Sequence, residues 1–180
     1  MQLVDLYQTL EDRKNKAEVE KHGPYICNRQ SPEPWLGVGY YFWEDNIDTA
    51  KSWARRAKYK YFYIGRSSYD YSCHDFFDLV GNPQDMKMFR GFIDVLKENY
   101  PYKNPTVPQV LELVIDELGE DFYNEYKAIR ARSEWIDKDY YLQYPTQNTY
   151  YNSNPQIQIC VKDLSFLKTP FVVVDNGKAF

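Results

Sequence analysis

The feature that most constrains the fold of this chain is an aromatic block that follows two closely spaced glycines. Gly37-Val38-Gly39 runs directly into Tyr40-Tyr41-Phe42-Trp43. Glycines at this spacing are typical of a turn, and aromatic side chains favour the half-buried surface of a sheet. The block therefore predicts a turn that enters a strand.

A helix is predicted directly after this strand. Asp45 or Asn46 can provide its N-cap, because a short polar side chain accepts a hydrogen bond from the first free amides of a helix. Apolar side chains then recur at helical spacing, at Ala50, Trp53, Ala54 and Ala57. Side chains at this spacing lie on one face, so the helix is expected to pack against a sheet.

Strands are predicted towards both ends of the chain, with helices between them. The strands are expected at residues 2–10, 156–161 and 171–174. Further helices are expected at residues 86–96, 106–118 and 121–136. This order predicts an α+β fold, and the length of 180 residues predicts that residues 1–180 form a single domain.

Composition narrows the class of protein. No apolar run approaches the ~18 residues of a membrane span, and the three cysteines have no CxxC spacing. These features predict a soluble chain with reduced cysteines in the cytoplasm and no contact with a membrane. The net charge of -4 argues against nucleic-acid binding over the whole surface, but leaves a local basic patch open.

Several common sites are not indicated. The chain has no Walker loop and no complete dinucleotide fingerprint. Histidines and cysteines lack zinc-site spacing, so no metal is expected; these residues are His22, Cys27, Cys73, His74 and Cys160.

The block from Trp35 to Ala54 resembles the central motif of the ADP-ribosyltransferase superfamily of the diphtheria-toxin and poly(ADP-ribose) polymerase type. In that motif a Gly-x-Gly-x-Tyr-Phe strand leads into an alanine-rich helix. The resemblance implies a split β-sandwich with a helical insertion, here at about residues 82–137, and NAD as the substrate.

The chain also resembles a group of uncharacterised bacterial proteins through Tyr7-Gln-Thr-Leu-Glu-Asp-Arg13 and the Trp35–Trp43 segment. That resemblance implies a toxin or a phage-defence effector. It also implies an antitoxin or another protein as a possible partner.

The family motifs assign residues to NAD. Tyr41 is expected to stack on nicotinamide, Gln8 occupies the position of the ribose-binding histidine, and Thr9 occupies that of the following glycine. Gly39 and Tyr40, beside the stacking tyrosine, are placed with the NAD-binding residues.

The catalytic glutamate of the family falls on the strand at 156–161, where this chain has Gln158 or Gln156. A neutral amide does not offset developing positive charge as a carboxylate does, so transferase activity depends on another acid.

Glu134 is the best candidate for that acid, four residues after Arg130 on the helix expected at 121–136. On one helix face, Arg130 would hold the pyrophosphate and Glu134 would orient the acceptor. The alternative is an ordinary salt bridge between the two. Glu44 and Asp45 would reach the rim of the pocket or supply negative charge to a helix N-terminus.

Two functions follow. The first is an enzyme that transfers ADP-ribose from NAD to an acceptor, which is a protein or a nucleic acid. The second is a catalytically degenerate module of the same fold that binds a nucleotide or a protein.

Overall fold

The computed structural model describes residues 1–28, 34–99, 104–133, 141–143 and 150–180. Its strands are β1 (Leu3–Glu11), β2 (Tyr40–Glu44), β3 (Tyr61–Asp70), β4 (Phe76–Asp78), β5 (Ala128–Ser133), β6 (Tyr141–Gln143), β7 (Tyr150–Asn152), β8 (Gln156–Val161) and β9 (Val172–Lys178). Its helices are α1 (Lys16–His22), α2 (Ile47–Arg56), α3 (Pro83–Asn99), α4 (Val107–Leu118) and α5 (Glu120–Glu125).

Seven strands form one sheet in the order β4-β5-β8-β2-β1-β3-β9, and β6 pairs with β7 in a separate hairpin. The β4–β5 pair is parallel, and the other neighbours in the large sheet are antiparallel. Helices and a mixed sheet in this arrangement confirm the predicted α+β class.

The pairing between β1 and β2 is short. β1 pairs with β3 from Leu3 to Glu11. It meets β2 only at Leu6↔Glu44 and Tyr7↔Trp43. Beyond these pairs the two strands no longer follow a common ladder. This short contact, called the seam below, joins β1, β3 and β9 to the other four strands.

The two sides of each strand pack into different cores, because successive side chains point to opposite faces of a sheet. One face carries Phe42 and Ile159 and is covered by α1 and the C-terminal loops through Val19, Phe166 and Phe171. On the other face, α2 packs at one end and α3–α5 at the other.

The first helix predicted after the aromatic strand is confirmed as α2. Asn46 is its N-cap, with Oδ1 accepting a 2.9 Å hydrogen bond from the Thr49 amide. Ala50 and Ala54 are fully buried against Trp43 and Ile64, as the apolar spacing predicts.

The helix predicted at 106–118 is also confirmed. The Gln109 side chain accepts a 2.9 Å hydrogen bond from the Thr106 amide, and Gly119 follows α4 with a φ of 58°. Glycine takes this left-handed conformation without the penalty of a Cβ, so it ends the helix.

The helix predicted at 121–136 is wrong. α5 ends at Glu125, and residues 128–133 form β5 between β4 and β8. Ala128 and Ile129 are buried on opposite faces, so the apolar residues cover both sides of a strand. Phe122, Tyr126 and Ile129 match helical spacing only by coincidence, and sheet pairing overrides it.

Two earlier expectations change with this strand. The helical insertion ends at Glu125 and does not continue to about residue 137, because β5 belongs to the main sheet. Arg130 lies on a strand, so it has no helical partner four residues later. Glu134 lies outside the described residues.

None of the helices in the described part of the chain is long and apolar enough to cross a membrane.

Candidate ligand pocket at the seam

A pocket of about 260 Å³ opens where β1 and β2 diverge. Residues of three strands line it: Gln8 and Thr9 from β1, Tyr41 and Trp43 from β2, and Gln158 from β8. Trp53 of α2 and the segment at Tyr25 also line it. Four residues that the sequence assigned to NAD, Gln8, Thr9, Tyr41 and Gln158, are therefore brought together from distant parts of the chain.

The hydroxyl group of Tyr41 forms two hydrogen bonds with the backbone. The hydroxyl donates a 2.8 Å hydrogen bond to the Gly37 carbonyl and accepts one of 2.8 Å from the Leu36 amide. Burial raises the pKa of Tyr41 well above its usual value, and the nearby Cys160 adds to this effect. The phenol is thus neutral and fixed in a residue that lines the pocket.

The side-chain amide of Gln8 forms hydrogen bonds with the protein backbone. Its Oε1 accepts a 2.8 Å hydrogen bond from the Tyr25 amide, and its Nε2 donates to the carbonyls of Tyr25 at 2.9 Å and Tyr41 at 3.3 Å. A backbone amide only donates and a carbonyl only accepts, so these partners fix the orientation of the side-chain amide. Gln8 therefore links the two diverging strands and positions Tyr25. A ribose hydroxyl would have to displace these bonds.

Thr9 connects β1 to α2. Its hydroxyl donates a 2.6 Å hydrogen bond to the carbonyl of Ala50. This bond fixes α2, which provides Trp53 to the pocket wall, against the sheet.

Gln158 lies opposite Trp43 on β2 and Ala131 on β5. It is only 8% exposed, and its Oε1 accepts a 2.6 Å hydrogen bond from the indole N–H of Trp35. Because an indole N–H only donates, the bonded atom of Gln158 must be its oxygen. The position at which the family has a carboxylate thus holds an amide already engaged by Trp35.

The structure distinguishes Gln158 from Gln156. Both face the same side of β8, since residues two apart share a face. Gln158 lines the seam pocket, whereas Gln156 lines a different pocket beside the start of α2. The two glutamines therefore line different pockets because they lie at different points along β8, and not because they face opposite sides of the sheet.

Gly39 and Tyr40, which the resemblance placed with the NAD-binding residues, do not line the seam pocket. A Cβ on Gly39 would lie 2.5 Å from Cys160 Sγ and 2.7 Å from the carbonyl oxygen of Val161. Glycine is required there for close approach to β8. Tyr40 points to the opposite face of the sheet, where it packs against the core that contains Phe42.

Arg130 also lies away from the seam pocket, in a buried ionic cluster. Its Nε and Nη2 donate to Glu44 at 2.7–3.0 Å, and its Nη1 donates to Asp78 at 3.0 Å. The Tyr69 hydroxyl bonds to the same Glu44 carboxylate. Burial opposes the guanidinium charge, but hydrogen bonds and attraction to Glu44, together with Asp78, outweigh it and raise the pKa of Arg130.

The cluster contains two residues that were expected near NAD. The guanidinium of Arg130 is bonded to Glu44 and Asp78 and does not line the seam pocket. Glu44 is a buried partner of Arg130, and Asn46 caps α2 instead. The sequence carried one signal for this arrangement: Glu44 is two residues after the core residue Phe42, so strand alternation places both on one face.

No charged side chain lines the seam pocket in the part of the chain that the structure describes. Within those same residues, no group of three or more histidine, cysteine, aspartate or glutamate side chains is arranged to hold a metal ion. The pocket is a neutral, aromatic cavity with two amides.

Comparison of the chain with family models, with curated proteins and with solved structures finds no match.

Proposed function

We propose that this chain is an ADP-ribosyltransferase-like protein that binds NAD, with the nicotinamide end in the seam pocket against the Tyr41 ring. One observation carries the proposal. Gln8, Thr9, Tyr41 and Gln158, which sequence resemblance assigned to NAD, line a single pocket although they come from three strands.

The chemistry of the pocket supports this ligand. Nicotinamide is a flat ring with a polar carboxamide, which suits aromatic walls and a few amide groups. The volume of about 260 Å³ is small for a whole dinucleotide. Ligand pockets commonly measure roughly 300–1,000 Å³, so only the nicotinamide end is expected inside.

An adjoining pocket of about 360 Å³ offers space for the rest of NAD. It shares Leu10, Tyr25 and Tyr59 with the seam pocket and also includes Arg13. Arg13 is exposed and forms a 2.8 Å salt bridge with Glu11. Glu11 and Glu18 also line this pocket, so contact with the pyrophosphate would require Arg13 to exchange Glu11 for it.

The same proposal includes the split β-sandwich of the ADP-ribosyltransferase fold. The seam would be the line along which a split β-sandwich divides, with NAD at the division. Transfer of ADP-ribose to a protein or nucleic-acid acceptor in the cytoplasm is the catalytic form of the proposal.

A second candidate, a degenerate binding module, is favoured by one observation. The amides of Gln8 and Gln158 are both engaged by the protein scaffold, and the described lining contains no acid. Such a pocket would bind the dinucleotide without stabilising positive charge on its ribose.

Calorimetric titration with NAD tests the binding claim. Wild type and Tyr41→Phe, which keeps the ring, should bind, whereas Tyr41→Ala should bind at least about tenfold more weakly, the ring being worth about 1.4 kcal/mol or more. Tyr61→Ala, an exposed tyrosine on β3, is the matched control. Equal affinity of all four proteins, or no binding, would contradict the proposal.

Nicotinamide release in the same samples separates the two candidates. Release above buffer in the presence of protein or nucleic-acid acceptors supports the transferase. Binding without release supports the module.

A further inference from the structure

A second and larger pocket lies on the same face of the sheet, at the start of α2. Its volume is about 600 Å³. We call it the acidic pocket and define it by Asp45, Asp48, Ser52, Arg56, Asn154 and Gln156. Trp53 of the same helix lines the seam pocket, so α2 separates the two cavities.

Gln156 provides a buried polar atom in this pocket. Its residue is 5% exposed, and its Oε1 is buried with no hydrogen-bond partner among the described residues. Buried side-chain oxygens in folded proteins nearly always have a donor. The Gln156 oxygen is therefore suited to accept a hydrogen bond from an N–H or O–H group of a bound molecule.

The charges of the acidic pocket select the kind of donor. Asp45 and Asp48 outnumber Arg56, the one cation among its described lining residues. One amide at the start of α2, that of Thr49, donates to the Asn46 side chain. The two carboxylates disfavour a phosphate and favour a cation.

The backbone at Asp45 is unusual in a way that fits a binding role. Its φ is 46°, in the left-handed region that residues other than glycine enter at a cost. The N-cap function belongs to Asn46, so capping does not explain an aspartate at this position. The conformation places an exposed carboxylate on the lining of the pocket.

We propose that the acidic pocket binds a guanidinium group, as an arginine side chain presented by a protein partner. A guanidinium is planar, permanently charged and carries only donors, so it can serve two carboxylates and the Gln156 oxygen together. This site is distinct from the NAD pocket and does not depend on NAD binding.

Titration with propylguanidine, followed by NMR of the backbone amides, tests the proposal on the full chain. Saturable shifts should be confined to residues around Asp45–Ser52 and Gln156. Propylurea has a similar shape and similar N–H groups but no charge, so it should bind at least about fivefold more weakly. Inorganic phosphate should leave the same amides unchanged.

Two variants test the residues named. Gln156→Leu should weaken propylguanidine binding about tenfold or more, because hydrogen bonds to charged groups are among the stronger ones. It should not reduce stability, since it removes a buried oxygen without a partner. Asp48→Asn should weaken binding about two- to fivefold, as expected for an exposed ion pair. Asp116→Asn on α4 is the control and should bind as wild type does.

Other outcomes overturn the proposal. Absence of saturable shifts with propylguanidine, equal binding of propylurea, or unchanged affinity in Gln156→Leu would each do so. Shifts caused by phosphate or by cytidine at these amides would assign the pocket to a nucleic acid instead. Because NAD is absent from the titration, the result is independent of the seam pocket.

Discussion

At the scale of single residues, the amide of Gln158 stands where the resemblance expects a carboxylate. The indole of Trp35 already donates to its oxygen, and a glutamate at this position would retain that acceptor. Restoring the acid therefore requires no rearrangement of the hydrogen bond that positions the side chain.

Gln158→Glu should raise the rate of nicotinamide release from NAD at least about tenfold, because electrostatic contacts of this kind are worth roughly 10²–10³ in rate. Gln156→Glu is the matched control, being two residues away on the same face but outside the seam pocket. A Gln158→Glu protein that still binds NAD but releases no more nicotinamide would show that the sugar does not react beside this residue.

Gln8 is also expected to stabilise the fold, through its hydrogen bonds to the backbone of Tyr25. Gln8→Ala leaves the amide and carbonyl of Tyr25 without their side-chain partner, so it should lower the free energy of unfolding by about 1–3 kcal/mol. Urea denaturation measures the change. The exposed Gln84→Ala on α3 should stay within about 0.5 kcal/mol of wild type. Equal losses in Gln8→Ala and Gln84→Ala would contradict the structural role of Gln8.

The family resemblance assigned Gln8, Thr9, Tyr41 and Gln158 to one site, and these four residues line one pocket. It did not predict what their polar atoms bind. Those partners, such as Tyr25 and Trp35, come from a loop whose path depends on the complete tertiary structure.

At the scale of elements, β5 shows where periodicity misleads. A strand covered on both faces has no polar side, so its apolar residues can match a helical pattern as well as a strand. α2 and α4 were predictable because their caps and turn residues act locally, whereas β5 is defined by its neighbours β4 and β8.

The ionic cluster on β5 should be critical for stability. Arg130→Met leaves the buried carboxylates of Glu44 and Asp78 without their cation, so the free energy of unfolding should fall by about 3–5 kcal/mol. Arg132→Met, at an exposed position on the same strand, is the control and should cost about 0.5 kcal/mol or less. A small loss in Arg130→Met, measured by urea denaturation, would argue against the cluster.

The end of β3 predicts a dependence on pH. Asp70 accepts hydrogen bonds from the Ser72 hydroxyl at 2.6 Å and from the Gln2 amide at 2.8 Å. These bonds hold the pKa of Asp70 well below its ordinary value of 3.8. The folded state therefore gains stability that is present above about pH 4 and is lost as the pH falls towards the lowered pKa.

Urea midpoints of wild type and Asp70→Asn at pH 7 and pH 3 measure this contribution. Wild type should lose more stability between the two pH values than the variant, which has no carboxylate to protonate. Parallel losses would indicate that Asp70 keeps its ordinary pKa in the folded protein.

At the scale of the whole molecule, the helices α3–α5 and the sheet share one core. Phe122 of α5 is fully buried and packs against Phe77 of β4 at a ring distance of 5.8 Å. The same core includes Ile129 and Cys160 on central strands. The helices α2 and α4 were predictable, but this sharing of a core was not, because the sequence pattern places the residues of β5 on a helix of the insertion.

A shared core predicts one cooperative unfolding transition. Far-UV circular dichroism reports on all the helices. Tryptophan fluorescence reports on the rest of the chain, because the four tryptophans lie outside residues 83–125. The two signals should have the same urea midpoint. Phe122→Ala should lower both midpoints together, because loss of the buried ring should reduce the free energy of unfolding by about 3–5 kcal/mol. The exposed Phe180→Ala should change neither midpoint. Separate midpoints would show that the helices unfold as an independent unit.

The short seam also bears on how the sheet moves. The β1–β2 ladder has two residue pairs, and one further backbone hydrogen bond runs from the Asp45 amide to the Asp5 carbonyl. The two parts of the sheet can therefore open there without breaking the long β1–β3 ladder. Local openings of this kind control the exchange of amide hydrogens with solvent. A ligand that spans the seam would close it, and its arrival would be recorded as slower exchange along both strands at once.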